Sequence, residues 1–370
     1  MELFETVHQS GHEQVVFCHD ASSGLSAIIA IHDTTLGPAL GGLRMWPYAT
    51  EEAALDDALR LSRGMTYKAA VSGLNLGGGK SVIIADPRKD KSEALFRSFG
   101  RFVETLRGRY ITAEDVGIDV ADMEYVLQET DHVVGIPESL GGSGDPSPFT
   151  AFGTLQGMRA CLRQRYDDET LNHYSFAIQG VGHVGYHLAR LLREQDAKVF
   201  VTDIHDDNVQ RCVDELGCEA VDPDEIYDVD ADVFAPSALG AVLNHDTLPR
   251  MRFRIVCGSA NNQLADPDIG DVLHARNILY APDYAVNAGG LMNVYLELEG
   301  YNPDKARHMV RGIYQNILNI LKKAQQEDLP THRAADLLAE QRIEQMRRLK
   351  PARTGSHRRH RLDSRRLNHH

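Results

Sequence analysis

The chain has 370 residues, 42% of them hydrophobic and 25% charged, with a net charge of −14. That composition fits a soluble globular protein long enough for two domains, each with its own core. No apolar run approaches the ~18 residues of a membrane-spanning helix. The opening Met1-Glu-Leu-Phe-Glu-Thr lacks the charged-then-apolar pattern of a signal peptide, so a cytoplasmic protein is expected.

Two short runs rich in β-branched residues, Gln14–Cys18 and Leu25–Ile31, read as strands. Gly37-Pro-Ala-Leu-Gly41-Gly42 reads as a glycine-rich loop ahead of Arg44-Met-Trp46. Thr50-Glu-Glu carries the capping residue and acids of a helix start, and Ala54, Leu55, Ala58, Leu59 and Leu61 give that helix a buried stripe. It continues through Gly64-Met65-Thr-Tyr-Lys68, which places Lys68 about three turns along.

A second glycine-rich loop follows, Gly73-Leu-Asn-Leu-Gly77-Gly-Gly-Lys80-Ser81. It ends like a Walker phosphate loop. However, Leu74 stands where the first glycine of that motif is required, and the strand Ser81–Asp86 leads out where a helix should. What remains is a lysine held beside bare backbone, a way to place an amine for acid/base work. A neighbouring ammonium and burial both disfavour protonation of Lys68 and Lys80, moving a lysine toward the ~7–8 range useful to a general base. A helix over Ser92–Leu106 and a strand at Arg109–Thr112 lead to Glu114-Asp115. Acids just past a strand's C-terminal edge are placed for function in α/β proteins; Asp115 either pairs with a lysine or shuttles protons. A helix over Val120–Gln128 precedes the hinge-like Gly141-Gly-Ser-Gly-Asp-Pro-Ser-Pro148, and a domain boundary is expected near residue 135.

The second half opens with a helix over Thr150–Arg165 and a strand over Tyr174–Gln179. The strand runs into Gly180-Val181-Gly182-His183-Val184-Gly185 and then a helix to about Glu194. Strand before and helix after are the context a dinucleotide-binding turn requires, with pyrophosphate at the helix N-terminus. The strand Lys198–Thr202 ends in Asp203, 18 residues past the last glycine, near the ~20 expected of a ribose-binding carboxylate. A carboxylate there repels a 2′-phosphate, so NAD is expected over NADP. Strand-like segments at Val233–Pro236, Arg254–Cys257 and Ile278–Tyr280 continue the alternation. Ser237 and Ser259-Ala-Asn261-Asn262 follow two of them, at the nicotinamide end. From Asn287, Gly289-Gly290 leads into helices to about Lys350 that pack back across the junction.

Several features carry no chemistry of their own. Five cysteines, odd in number and without Cys-x-x-Cys spacing, argue against a disulfide framework and a structural zinc site. His183 and His187 have a metal-binding spacing but no third ligand, so no metal is expected. From Gln341 to His370 there are ten Arg/Lys against two acids. That segment has no aromatic residue for base stacking and follows an acidic body that repels polyanions, so neither nucleic acid nor membrane is expected as a partner.

Gly37-Pro-Ala-Leu-Gly-Gly, Met65-Thr-Tyr-Lys68, Gly77-Gly-Gly-Lys80, Thr112-Ala-Glu-Asp115-Val-Gly, Gly180-Val-Gly and Asn287-Ala-Gly-Gly, in this order, resemble the glutamate/leucine/phenylalanine/valine dehydrogenases. The resemblance runs to about residue 350. It implies an α/β protein. Residues 1–135 would form a substrate-binding and oligomerisation domain and 136–330 a Rossmann-type NAD-binding domain. A C-terminal helix would occupy 331–350; beyond the resemblance, the composition of 351–370 reads as a disordered basic tail.

The activity implied is reversible NAD-dependent deamination of a branched-chain L-amino acid to its 2-oxo acid and ammonia, by a homo-oligomer, an octamer by resemblance. Lys80 would be the general base and Asp115 the proton relay. Lys68 would hold the substrate carboxylate, with Gly41 and Gly42 giving backbone contact, and Met65 would line the same site. Gly180, Val181, Gly182, His183, Val184, Gly185, Asp203, Ala238 and Asn261 would hold NAD. Glutamate-specific members have a lysine where Leu40 stands. With Ala113, Leu291 and Val294 it forms instead an apolar pocket that would leave a side-chain carboxylate unpartnered. Phenylalanine, valine or tryptophan as substrate, and a non-catalytic NAD-binding protein, are the alternatives.

Overall fold

A computed structural model describes residues 3–349; the tail expected at 351–370 lies outside them. Helix α1 (Leu3–Ser10) leads into β1 (Gln14–Asp20), β2 (Leu25–Asp33), β3 (Ala39–Trp46), α2 (Glu51–Val71), β4 (Gly77–Ile84), α3 (Glu93–Thr105), β5 (Tyr110–Glu114) and α4 (Val120–Leu127). The strands pair in the order β1-β2-β4-β3-β5, antiparallel from β1 to β4 and parallel from β4 to β5. Strand alternation assigns the faces. Ala27, Ile29 and Ile31 of β2 pack with Leu95, Phe96 and Phe99 of α3. Ile28 and Ala30 point the other way, onto Ala54, Leu55, Ala58 and Leu59 of α2.

Helix α2 starts as its sequence indicates, the Thr50 hydroxyl accepting from the Ala53 N–H at 3.1 Å. It is longer than expected. Lys68 sits in the last turn of 21 residues rather than three turns along.

The two glycine-rich segments expected as loops are loops only at their starts, Gly37-Pro38 and Gly73–Leu76; from Ala39 and from Gly77 onward they are strands, which corrects the sequence reading. Ala39–Trp46 and Gly77–Ile84 lie side by side, with Leu40 opposite Gly78. A Cβ on Gly41 would overlap the Gly79 carbonyl oxygen, and one on Gly78 would overlap the Thr66 backbone of α2. The glycines are there because two strands and a helix converge, which no side chain permits.

The second unit comprises α5 (Ser147–Tyr166), β6 (Ser175–Gln179), α6 (His183–Arg193), β7 (Lys198–Thr202), α7 (Asp206–Leu216), β8 (Glu219–Ala220), β9 (Val233–Pro236), β10 (Ile255–Val256), α8 (Pro267–Ala275) and β11 (Leu279–Tyr280). The last two residues of the expected hinge, Ser147 and Pro148, belong to the first turn of α5, where proline's missing N–H is harmless. The sheet is parallel throughout, ordered β11-β10-β9-β6-β7-β8. This is the doubly wound dinucleotide-binding arrangement, with its switch point between β6 and β9.

Helices α9 (Asp283–Val286), α10 (Gly289–Tyr295), α11 (Pro303–Arg311), α12 (Ile313–Glu327) and α13 (Thr331–Arg347) complete the described chain. The last returns to the first unit. The Arg342 guanidinium donates to the carbonyls of Ala69, Ala70 and Leu74 at 3.3, 2.9 and 2.8 Å. These lie at and just beyond the end of α2, where helix carbonyls lack intrahelical donors, next to the turn that carries Lys68. Among the described residues no helix is long and apolar enough to cross a membrane, and all five cysteines are buried and unbridged.

Candidate active site

The two units face each other across a cleft of about 670 Å³. Leu40, Gly42, Met65, Lys68, Lys80, Ala113 and Asp115 line it from the first unit, and Val184, Asn261, Leu291 and Val294 from the second. Its charged floor crosses β3, from Lys80 on β4 to Asp115 just past the end of β5. The buried Lys80 ammonium donates to Asp115 Oδ2 at 2.5 Å, and Arg44 Nε donates to the same oxygen at 3.0 Å. Burial holds the Lys80 amine below its ordinary pKa, although the Asp115 charge opposes the shift. Burial alone would raise Asp115, but the charges of Lys80 and Arg44 outweigh it and keep the carboxyl below its usual range. The floor is thus an ionised carboxylate beside an amine that gives up its proton readily.

Lys68 stands opposite. Its ammonium donates to Asn287 Oδ1 at 2.6 Å. Burial, aided by the nearby Lys80 charge and opposed by Asp283 and Asp115, lowers its pKa to about 8. Asp283 accepts from the Gln263 and Tyr284 amides at 2.9 and 2.6 Å, and burial raises its pKa. Above these charges the wall is apolar, made by Leu40, Met65, Ala113, Leu291 and Val294.

Gly41 and Gly42 have different surroundings. A Cβ on Gly42 would come within 2.7 Å of the Asp115 Cβ, so glycine lets the carboxylate lie against β3. Gly41 lies behind the cleft, packed on Gly79, its carbonyl accepting from the Tyr110 hydroxyl at 2.7 Å. Of the two glycines expected at the substrate, Gly42 lines the cleft and Gly41 does not.

The β6–α6 turn suits a pyrophosphate. Gly180 has φ 95°, and a Cβ there would overlap Ala238 across the switch point. A Cβ on Gly185 would overlap the Gly180 carbonyl, while Gly182 faces open space. Gly182 caps α6 without a side-chain acceptor, which leaves first-turn amides and the helix dipole for an anion. His183 is the exposed first residue of α6. Asp203, just past β7, accepts from the Val181 and His205 amides at 2.8 and 3.0 Å, beside the turn. Val184 belongs to this turn and also lines the cleft, making the two continuous. Asn261 accepts from Asn287 Nδ2 at 2.7 Å. Among the described residues no three His, Cys, Asp or Glu side chains gather as a metal site.

Sequence reasoning missed Arg44 and Asp283, and gave Asn287 no role. The signal for Arg44 was alternation along β3. Leu40, Gly42 and Arg44 share one face and all line the cleft, which is visible only once residues 39–46 are read as a strand.

Two family models match the chain: the Glu/Leu/Phe/Val dehydrogenase dimerisation domain over residues 12–132 and the Glutamate/Leucine/Phenylalanine/Valine dehydrogenase domain over 201–350. The chain is 56% identical over 348 residues to the leucine dehydrogenase of Geobacillus stearothermophilus, covering 94% of this chain and 95% of that one. It is 48% identical over 347 residues to the phenylalanine dehydrogenase of Caldalkalibacillus thermarum, covering 92% and 93%. The crystal structure of L-tryptophan dehydrogenase from Nostoc punctiforme matches with a TM-score of 0.84 at 46% identity, over 94% of this chain and 100% of that one. With this similarity along nearly its whole length, the chain belongs to the glutamate/leucine/phenylalanine/valine dehydrogenases, which deaminate amino acids oxidatively with a pyridine nucleotide.

Proposed function

We propose that the protein oxidises branched-chain L-amino acids, leucine foremost, to 2-oxo acids and ammonia with NAD as acceptor. The observation that carries this is the pairing of Lys80 with Asp115 at 2.5 Å on the floor of a cleft whose upper wall is aliphatic. Bound NAD supplies the hydride acceptor. Lys68 holds the substrate carboxylate through its ammonium and so fixes the α-carbon over the cleft floor. Lys80 takes the proton from the water that adds to the imine carbon. Asp115 passes a proton to the amine as ammonia leaves.

Leu40, Ala113, Leu291 and Val294 favour an aliphatic side chain. A glutamate carboxylate among them would lack a partner, a costly burial. One methylene is worth only ~1–3 kcal/mol in such a pocket, and the length of Leu291 narrows it, so valine and isoleucine are substrates too. Asp203 beside the phosphate turn supports NAD over NADP. The N-terminal match is described as a dimerisation domain, which supports self-association, with an octamer as the expected assembly. The similarity of this chain to leucine dehydrogenase along 94% of its length adds to the reading.

The test is initial-rate deamination with leucine, isoleucine, valine, phenylalanine and glutamate, each with NAD and with NADP. Highest kcat/KM for a branched aliphatic substrate with NAD is expected. A preference for phenylalanine or glutamate, or for NADP, would overturn it.

A further inference from the structure

Alternation along β3 aims Arg44 at the cleft floor, two residues beyond Gly42. Its guanidinium is divided between two acids. Nε donates to Asp115 Oδ2 at 3.0 Å and Nη1 to Asp57 Oδ2 at 2.8 Å. Asp57, on α2, is itself fixed. Its Oδ2 also accepts from the Tyr48 hydroxyl at 2.7 Å, and its Oδ1 accepts from Arg60 at 2.8 Å. A planar guanidinium bound through two nitrogens to two anchored carboxylates is held in one orientation, which a lysine ammonium cannot reproduce.

Asp115 Oδ2 therefore accepts from two cations, Lys80 and Arg44. They differ in kind. Lys80 must lose its proton to act as a base, whereas a guanidinium never does. When Lys80 is neutral, the half-buried Asp115 still has Arg44 beside it. Without that charge, the carboxylate would compete for the proton that Lys80 gives up.

We propose that Arg44, braced by Asp57, is a positioning residue that fixes the protonation state of the Lys80–Asp115 pair, keeping Asp115 ionised while Lys80 turns over between amine and ammonium. The inference rests on the roles proposed above for Lys80 and Asp115. The other charges around the pair are Lys68, Arg60 and Asp57 from α2, Glu114 from β5, and Asp283 facing Lys68 from the second unit. Of these, Asp57 opposes the effect of Arg44 on Lys80. Opposite predictions for the two residues follow.

The experiment is the pH profile of kcat/KM for leucine deamination in the full-length protein, for Arg44→Met, Arg44→Lys and Asp57→Asn. Folding is followed by circular dichroism and NAD binding by titration. Losing a cation at this distance raises both acids of the pair, so Arg44→Met moves the acidic limb up by roughly one pH unit. Arg44→Lys keeps the charge and returns the limb to within about 0.3 unit of the parent, at reduced kcat. Asp57→Asn leaves the Arg44 charge uncompensated and moves the limb down. If Arg44→Met does not fold, the Arg44→Lys and Asp57→Asn limbs decide. A uniform rate loss with unmoved limbs, or a shift of the Met and Asn variants in the same direction, would overturn the proposal. Lys80→Ala and Asp115→Asn separate the two layers. If either keeps parental kcat/KM, the underlying roles fail; if both lose it while the Arg44 limbs stay fixed, only the role of Arg44 fails.

Discussion

Lys68, in the last turn of α2, donates a 2.6 Å hydrogen bond to Asn287, just ahead of α10 in the other unit. Asn287 in turn donates to Asn261 Oδ1 at 2.7 Å and to the Ser259 carbonyl at 3.1 Å, on the turn that follows β10. One buried amide thus ties the proposed carboxylate-binding cation to the wall expected to face the nicotinamide ribose. Asn287→Ala removes a bond to a charged group, worth ~1.5–3 kcal/mol. A fall in kcat/KM for leucine of roughly ten- to a hundredfold is expected, with weaker amino-acid and NAD binding together. Steady-state kinetics in both substrates checks this; a change confined to one of them would break the link.

The carboxylate-binding role proposed for Lys68 makes that binding depend on pH. Its pKa is lowered to about 8, burial being the largest cause. A bound carboxylate favours the ammonium, so affinity is full below that value and is lost as pH rises through it. A simple carboxylate such as 4-methylpentanoate has no amine to titrate and isolates the effect. Its inhibition constant should be flat below pH ~8 and rise about tenfold per unit above it. In Lys68→Met it should be weak and flat.

In the proposed reading Ala113 sets the width of the substrate pocket. It lies on β5 opposite Gly42 and lines the cleft. Removing its methyl gives a larger side chain room worth ~1 kcal/mol. Ala113→Gly should raise the phenylalanine-to-leucine ratio of kcat/KM by about fivefold. An unchanged ratio would show that another wall residue sets the limit.

The dinucleotide-binding unit was the more legible half of the sequence. A strand, the Gly180–Gly185 turn, a helix and Asp203 follow one another within a short stretch, and local spacing carries the whole signal. The first unit was harder because its glycines were read locally. Glycine runs usually mark turns, yet Gly41, Gly42 and Gly77–Gly79 lie in paired strands, and the crowding that requires them comes from residues distant in the chain, such as Thr66 and Tyr110. The site residues split the same way. Lys80 and Asp115 stood out beside glycines and a strand end. Arg44, Asn287 and Asp283 acquire meaning only from partners brought in by folding.

The same crowding predicts a stability effect. A methyl on Gly41 would overlap the Gly79 carbonyl oxygen, and backbone cannot swing aside as a side chain can. Gly41→Ala should therefore lower stability by about 3 kcal/mol or more, seen as a reduced denaturation midpoint or a loss of folded protein. A midpoint equal to the parent's would contradict the tight pairing of β3 with β4.

The central claim is that the buried amine of Lys80, at the end of a run of three buried glycines, is the base. Lys80→Ala tests it most directly, with leucine deamination and NAD binding measured on the same preparation. Removal of a general base predicts a fall in turnover of roughly 100- to 10,000-fold, while NAD affinity, set in the other unit, stays within about twofold. Turnover within tenfold of the parent, with NAD still bound, would contradict the account.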